Sequence, residues 1–162
     1  MIYKATLDNG AKAITIAVTI LFAGIITSEF IYKNNAPPFV LYLTLGVLIA
    51  AYVLAFILRT ISYEITPGEF IIHRLLSDVR IDRVSIQHVE IIPREQIGNA
   101  IRTFGVGGLF GYFGKFYSSK MGTMTWYATR RNNTVLIQTN TNKKIIVTPD
   151  EPEKLMAGLQ NY

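Results

Sequence analysis

Between Phe104 and Tyr117, five glycines (Gly105, Gly107, Gly108, Gly111, Gly114) are interleaved with Phe104, Leu109, Phe110, Tyr112, Phe113, Phe116 and Tyr117. Arg102, Lys115 and Lys120 stand beside them. Glycine-rich loops can cradle phosphate, but the spacing here is wrong for it. Phe110 stands where G-x-G-x-x-G needs its third glycine, and Gly114-Lys115 is followed by Phe116 instead of Ser or Thr. Rings beside cations suit a bilayer interface or a partner groove. The same rings could fill a β domain while the glycines let its strands bend. Alternate side chains can face opposite ways, so both readings can share the segment. The predicted contact surface is Phe104, Leu109, Phe110, Tyr112, Phe113, Lys115 and Phe116.

Other reactive groups are sparse. Arg130-Arg131 beside Asn132-Asn133, and Lys143-Lys144 on the next strand, could meet at adjacent hairpins as a basic patch for anionic lipid or an acidic partner. Solvated hairpin ends are the alternative. His73 and His88 form no H-x-H or H-E-x-x-H pattern, so no metal site is predicted. Ser62, Ser77, Ser85, Ser118 and Ser119 lie in neither G-x-S-x-G nor S-x-x-K. An acid-base pair among Glu64, Glu90 and Glu95 is the one route left to a cryptic hydrolase. The absence of cysteine removes thiol nucleophiles, zinc ribbons and iron-sulfur sites together. The sequence therefore predicts no catalytic residue, no metal and no cofactor.

The elements that would carry these residues follow from where the apolar residues fall. Mean hydropathy over 162 residues is +0.30 and only 17% are charged, against about 25% in ordinary soluble domains. The excess lies in two blocks. Ala13–Ser28 is 16 residues without a charge, and Phe39–Leu58 is 20. At about 1.5 Å per residue the second covers roughly 30 Å, a full hydrocarbon core, and the first must borrow flanking residues beyond Glu29. Asn34, Asn35, Pro37 and Pro38 form a polar break between them. A helical hairpin in the membrane follows, with spans at about 12–32 and 38–58, and residues 1–58 as the anchor. A secretory leader is the rival for the first block, but no A-x-A-like site follows it. Lys4 and Lys12 precede the first span, only Lys33 lies between the spans, and Arg59, Arg74, Arg80 and Arg83 follow, which predicts cytoplasmic termini.

Residues 59–162 read as one β domain with 13 basic and 9 acidic residues. That mixture suits an anionic leaflet but is no nucleic-acid footprint. Strands are predicted at 61–66 and 69–76 around Pro67-Gly68, and at 79–92 with an interruption. Three more follow at 124–131, 134–139 and 143–148. Asp150 and Glu153 make a capping-box-like start to a helix in which Leu155, Met156, Leu159 and Tyr162 recur at helical spacing.

The hairpin at Pro67-Gly68, FGVGGLFGYFGKF (Phe104 to Phe116), YATRRNNTVLIQT and IIVTPDEPEKL together resemble the bacterial PH domain family. The resemblance covers about Ile61 to Leu159. It implies a mainly-β pleckstrin-homology-like barrel of about seven antiparallel strands in two near-orthogonal sheets, capped by a C-terminal α-helix, following two transmembrane helices. It also implies a bacterial inner-membrane, multi-pass protein. Such barrels host lipid, peptide and oligomer contacts alike. Phosphoinositide-binding relatives carry basic residues in a long loop between the first two strands; here that loop is read as Pro67-Gly68, which argues against a phosphoinositide headgroup. The expected role is a non-catalytic binding or assembly module contacting a membrane-protein partner, a homo-oligomer or the lipid bilayer, with no nucleic acid. A small oligomeric membrane channel is the alternative. It is disfavoured because neither uninterrupted apolar block holds a charge and Gly46 with Ala50 makes only a modest small-residue pair.

Overall fold

The computed structural model describes residues 1–32 and 38–160. The expected break at Asn34, Asn35 and Pro37, together with Lys33 and Tyr162, lies outside the described residues, as do the side chains of Glu29 and Pro38. Both apolar blocks are helices, α1 (Asn9–Tyr32) and α2 (Pro38–Ile57). Asp8 starts α1: its Oδ1 accepts from the Ala11 N–H at 2.6 Å, which pairs one of the free donors at a helix start. Thr15, Thr19 and Thr27 each donate back to the carbonyl four residues earlier at 2.7 Å. Hydroxyls on an apolar helix are thereby satisfied within it. Each helix is long and apolar enough to cross a membrane, and few of their side chains are buried against the protein.

The sequence reading gives residues 1–58 to the anchor, yet Ile2–Lys4 forms a strand, β1, in the β domain. It pairs antiparallel with β2 (Thr60–Ile65), with Tyr3 opposite Tyr63 and Lys4 opposite Ser62. The two helices are therefore the connection between the first two strands. Pro67-Gly68 joins the second and third strands, so the long-loop argument applied to it moves to α1 and α2. Three residues are too short a run for alternation to register, and only the burial of Tyr3 marks β1 as part of a sheet.

The first sheet runs β1-β2-β3-β4, with β3 (Glu69–Arg74) and β4 (Val79–Asp82). A 3-10 turn at Arg83–Ser85 supplies the expected interruption and leads to the second sheet. That sheet is built from β5 (Ile86–Ile92), β6 (Ile101–Gly108), β7 (Gly111–Ser118), β8 (Gly122–Ala128), β9 (Thr134–Thr139) and β10 (Lys144–Val147), in the order β5-β9-β10-β8-β7-β6. A four-residue helix, α3 (Arg94–Ile97), links β5 to β6, and α4 (Pro152–Gln160) follows β10.

Two expectations need correction. The two sheets that the resemblance implies are present, but they do not close into one barrel of about seven antiparallel strands: the described residues hold ten strands, in sheets of four and six. Nor are all pairings antiparallel: β10 inserts between β9 and β8 and runs parallel to β8, Ile146 opposite Trp126. The Gly-rich segment, to which the sequence reading assigns no strand, is itself the two long strands β6 and β7. Asp150 does not cap α4 through its side chain as expected; its Oδ1 accepts from the Thr6 N–H at 3.0 Å and pairs with Arg130.

The centre of the second sheet, β9 and β10, is buried on both faces, which explains the unbroken apolar runs Val135–Ile137 and Ile145–Val147. Val135, Ile137 and Val147 pack with Tyr63, Phe70, Ile72 and Leu155 between the sheets. Leu136 and Ile146 turn the other way, onto Trp126, Phe116, Tyr112, Ile97 and Ala11 of α1. The Tyr63 hydroxyl stitches the sheets: it donates to the Tyr127 carbonyl at 2.6 Å and accepts from the Thr148 N–H at 3.0 Å. Burial pushes this phenol up to about 12. At the far end, Arg83 donates to the Gly158 and Leu159 carbonyls at 3.0 and 3.2 Å, pairing the last turn of α4.

Candidate functional site

The β6–β7 hairpin divides its side chains between interior and surface. Phe110, Tyr112, Phe113 and Phe116 are buried, Leu109 is half-buried, and Phe104 and Lys115 are exposed. Of the seven residues predicted as a contact surface, four are thus interior. Ile101 and Tyr117, outside that set, join Phe104 on the exposed side.

Backbone geometry puts them there. Gly105 pairs with Gly114 across the hairpin, at φ 110° and 116°. A Cβ on Gly105 would lie 2.2 Å from the Phe113 carbonyl oxygen, and one on Gly114 2.3 Å from that of Phe104. Only glycine fits this crossing. The tip, Leu109–Phe110, meets the two apolar helices. Phe110 takes a left-handed φ of 56°, uncommon for an aromatic residue. It is held there by three contacts: its N–H donates to Thr15 Oγ1 at 2.9 Å, and its ring meets Tyr52 and Phe56 edge-on at 5.2 and 5.3 Å. Ala55 and Phe113 complete the cluster. Arg59 lies over the Phe56 ring at 4.3 Å, and Thr19 and Tyr52 join α1 to α2 by a 2.8 Å hydrogen bond.

The predicted basic patch is not assembled. Arg130 and Arg131 precede β9, whereas Lys143 and Lys144 follow it, at opposite ends of a strand of 6 residues, about 20 Å long. Each pair is used locally. Arg130 donates to the Thr6 carbonyl at 2.9 Å and pairs with Asp150. The Arg131 guanidinium lies 4.9 Å from the Tyr112 ring centre. Lys144 donates to the Met121 carbonyl at 2.7 Å, and Lys143 is exposed.

His73 bridges two carboxylates, Nε2 to Glu64 at 2.9 Å and Nδ1 to Asp78 at 3.2 Å. The bond to Glu64 raises its pKa above the ordinary histidine value, burial opposes that, and the bond to Asp78 adds to the rise. Among the described residues no group of three or more His, Asp or Glu could hold a metal ion.

A cleft of about 720 Å³ opens under the first turns of α1, lined among others by Asp8, Ile14, Ile92, Arg94, Tyr112 and Arg131. An inner cavity of about 280 Å³ shares Arg94, Tyr112 and Arg131 and reaches Phe116 and Trp126. Trp126 stacks on Phe116 at 4.7 Å. Burial raises the Tyr112 phenol pKa, with the Asp8 charge adding to it. Asp8 fastens α1 here: its N–H donates to the Thr129 carbonyl at 3.2 Å and its Oδ2 accepts from the Arg131 N–H at 3.1 Å. Sequence reasoning missed this cleft because Asp8, Arg94 and Arg131 are far apart in the chain and form no motif.

A family model described as bacterial PH domain matches residues 61–162. No curated protein and no solved structure matches the chain.

Proposed function

The chain belongs to the bacterial PH domain family, and from that membership we propose that it is a non-catalytic binding module anchored in the membrane by α1 and α2. Two apolar helices with few buried side chains and with hydroxyls bonded back into the helix suit lipid surroundings. Because they connect β1 to β2, a hairpin that crosses twice returns the chain to the face it left. The Lys and Arg distribution makes that face cytoplasmic.

The reading rests above all on the way the β6–β7 hairpin divides its side chains between interior and surface. Its inward rings brace the helices, so Phe110, Tyr112 and Phe113 are taken up inside the molecule. Its outward residues, Ile101, Phe104, Lys115 and Tyr117, lie along the last two strands of the sheet, and β6 is its edge. An edge strand offers unpaired backbone groups, and apolar side chains beside cations add selectivity. This outer face is the contact surface for a membrane-protein partner or a second copy. No long basic loop joins the first two strands, since the helices stand there, which argues against a phosphoinositide headgroup.

A photocrosslinking residue at Phe104 or Tyr117, in native membranes, should give adducts with one protein or with a second copy. The same residue at Val84, exposed on the 3-10 turn, should give none. Equal yields at all three positions would contradict the assignment.

A further inference from the structure

The cavity beside α3 differs in charge from the cleft under α1 that adjoins it. Asp8 and Glu153 line the outer cleft, and Asp8 is already engaged, Oδ1 by the Ala11 N–H at 2.6 Å and Oδ2 by the Arg131 N–H at 3.1 Å. The inner cavity holds two guanidiniums, Arg94 and Arg131, and no carboxylate in its lining. They come from separate elements: Arg94 opens α3, and Arg131 lies in the β8–β9 turn, stacked on Tyr112. Among the described residues neither is in an ion pair, and both are exposed. Two cations converging on one cavity repel each other, and an anion between them relieves that repulsion while forming charge-assisted hydrogen bonds.

The remaining walls point to the kind of anion. Ile97, Phe116 and Trp126 give the cavity an apolar side, and the outer cleft leads from it to Ile14 on α1. Beyond Ile14 the helix surface is apolar and exposed, with Ile16, Ile20 and Leu21 open.

We propose that the cavity binds the phosphate of an anionic glycerophospholipid between Arg94 and Arg131, with the acyl chains leaving past Ile14 along α1. The site lies between α3 and the β8–β9 turn, away from the connection between the first two strands. It rests on the reading that α1 crosses the bilayer. A soluble phosphate ester shares the headgroup chemistry but would make no use of the path along α1.

Trp126 is the single tryptophan and lines the cavity, so its emission reports on occupancy. The full chain in detergent is titrated with short-chain phosphatidylglycerol, short-chain phosphatidylcholine and inorganic phosphate in separate arms. Phosphatidylglycerol should give a saturable change, at least about tenfold weaker in Arg94→Gln and in Arg131→Gln, as loss of one charge-assisted contact implies. Phosphatidylcholine and phosphate should give none. An equal response to phosphatidylcholine, or unchanged affinity in both variants, overturns the proposal; an equal response to inorganic phosphate overturns the lipid assignment. If Arg131→Gln unfolds by circular dichroism, Arg94→Gln, exposed at the start of α3, decides alone. Alkaline extraction of wild-type membranes tests the anchor separately: release of the chain would mean that the anchor reading has failed, whatever the titration shows.

Discussion

The Phe110 amide donates to the Thr15 hydroxyl at 2.9 Å, which ties the tip of a β hairpin to a membrane-type helix 95 residues earlier in the chain. Thr15 in turn donates to the Ala11 carbonyl at 2.7 Å, and Ala11 is fully buried in the β domain. Helix and domain therefore share one packed interior instead of being joined by a tether. Any tilt of α1 or α2 must move the β6–β7 hairpin with it.

Phe110→Ala should remove the two edge-on ring contacts and leave a cavity, costing about 3 kcal/mol. For a chain of this size that is a fall in Tm of about 6–12 °C, measured by thermal unfolding in detergent. Phe104→Ala, at an exposed position, should change stability by no more than about 0.5 kcal/mol. Equal effects would mean that the two faces of the hairpin are wrongly assigned.

The paired glycines give a graded series. Gly105→Ala and Gly114→Ala each drive a Cβ into a facing carbonyl oxygen, at 2.2 and 2.3 Å, and also force a positive φ on alanine. Gly122→Ala meets nothing within 4 Å but keeps a φ of 72°. The last should cost only the backbone term, about 1–2 kcal/mol, and the first two clearly more. Chemical denaturation of the three variants side by side checks the order.

Tyr63→Phe removes the hydroxyl that bridges the sheets and leaves the Tyr127 carbonyl and the Thr148 N–H short of a partner. The expected loss is about 1–3 kcal/mol, read from denaturant midpoints. A neutral result would show that the sheets are held by apolar packing alone.

The sequence made the helices legible because uninterrupted apolar length is an unambiguous signal, and Pro-Gly and Asn-rich turns marked the β2–β3 and β9–β10 hairpins; Asn132-Asn133 instead joins β8 to β9, which are not neighbours because β10 lies between them. β1 was hidden by its length, since three residues carry no period. The hairpin β6–β7 was hidden because glycine lowers strand propensity, and here glycine is required by a crossing between distant atoms that no local pattern records. The basic pairs failed for a related reason: Arg131 and Lys143 look close along the chain, but β9 separates them in space. Arg94 and Arg131 meet only because α3 and the β8–β9 turn are brought to one end of the second sheet.

His73 sets a pH dependence. Its folded pKa is raised above the unfolded value, chiefly by the bond to Glu64. Its contribution to stability is therefore complete below the ordinary histidine pKa of about 6.5 and is lost as pH rises through the raised value. The stability difference between wild type and His73→Gln should be largest near pH 6 and shrink towards pH 8. A difference that grows with pH would reverse the assignment.

Accessibility of single cysteines introduced into this cysteine-free chain tests the anchored hairpin most directly. Ile2→Cys on β1, Val84→Cys on the 3-10 turn and Phe39→Cys at the start of α2 are all at exposed positions. They are labelled with a membrane-impermeant maleimide in oriented vesicles. Ile2→Cys and Val84→Cys should label together from the cytoplasmic side, and Phe39→Cys only from the opposite side. Labelling of all three from one side of intact vesicles would contradict a hairpin that crosses the bilayer between β1 and β2.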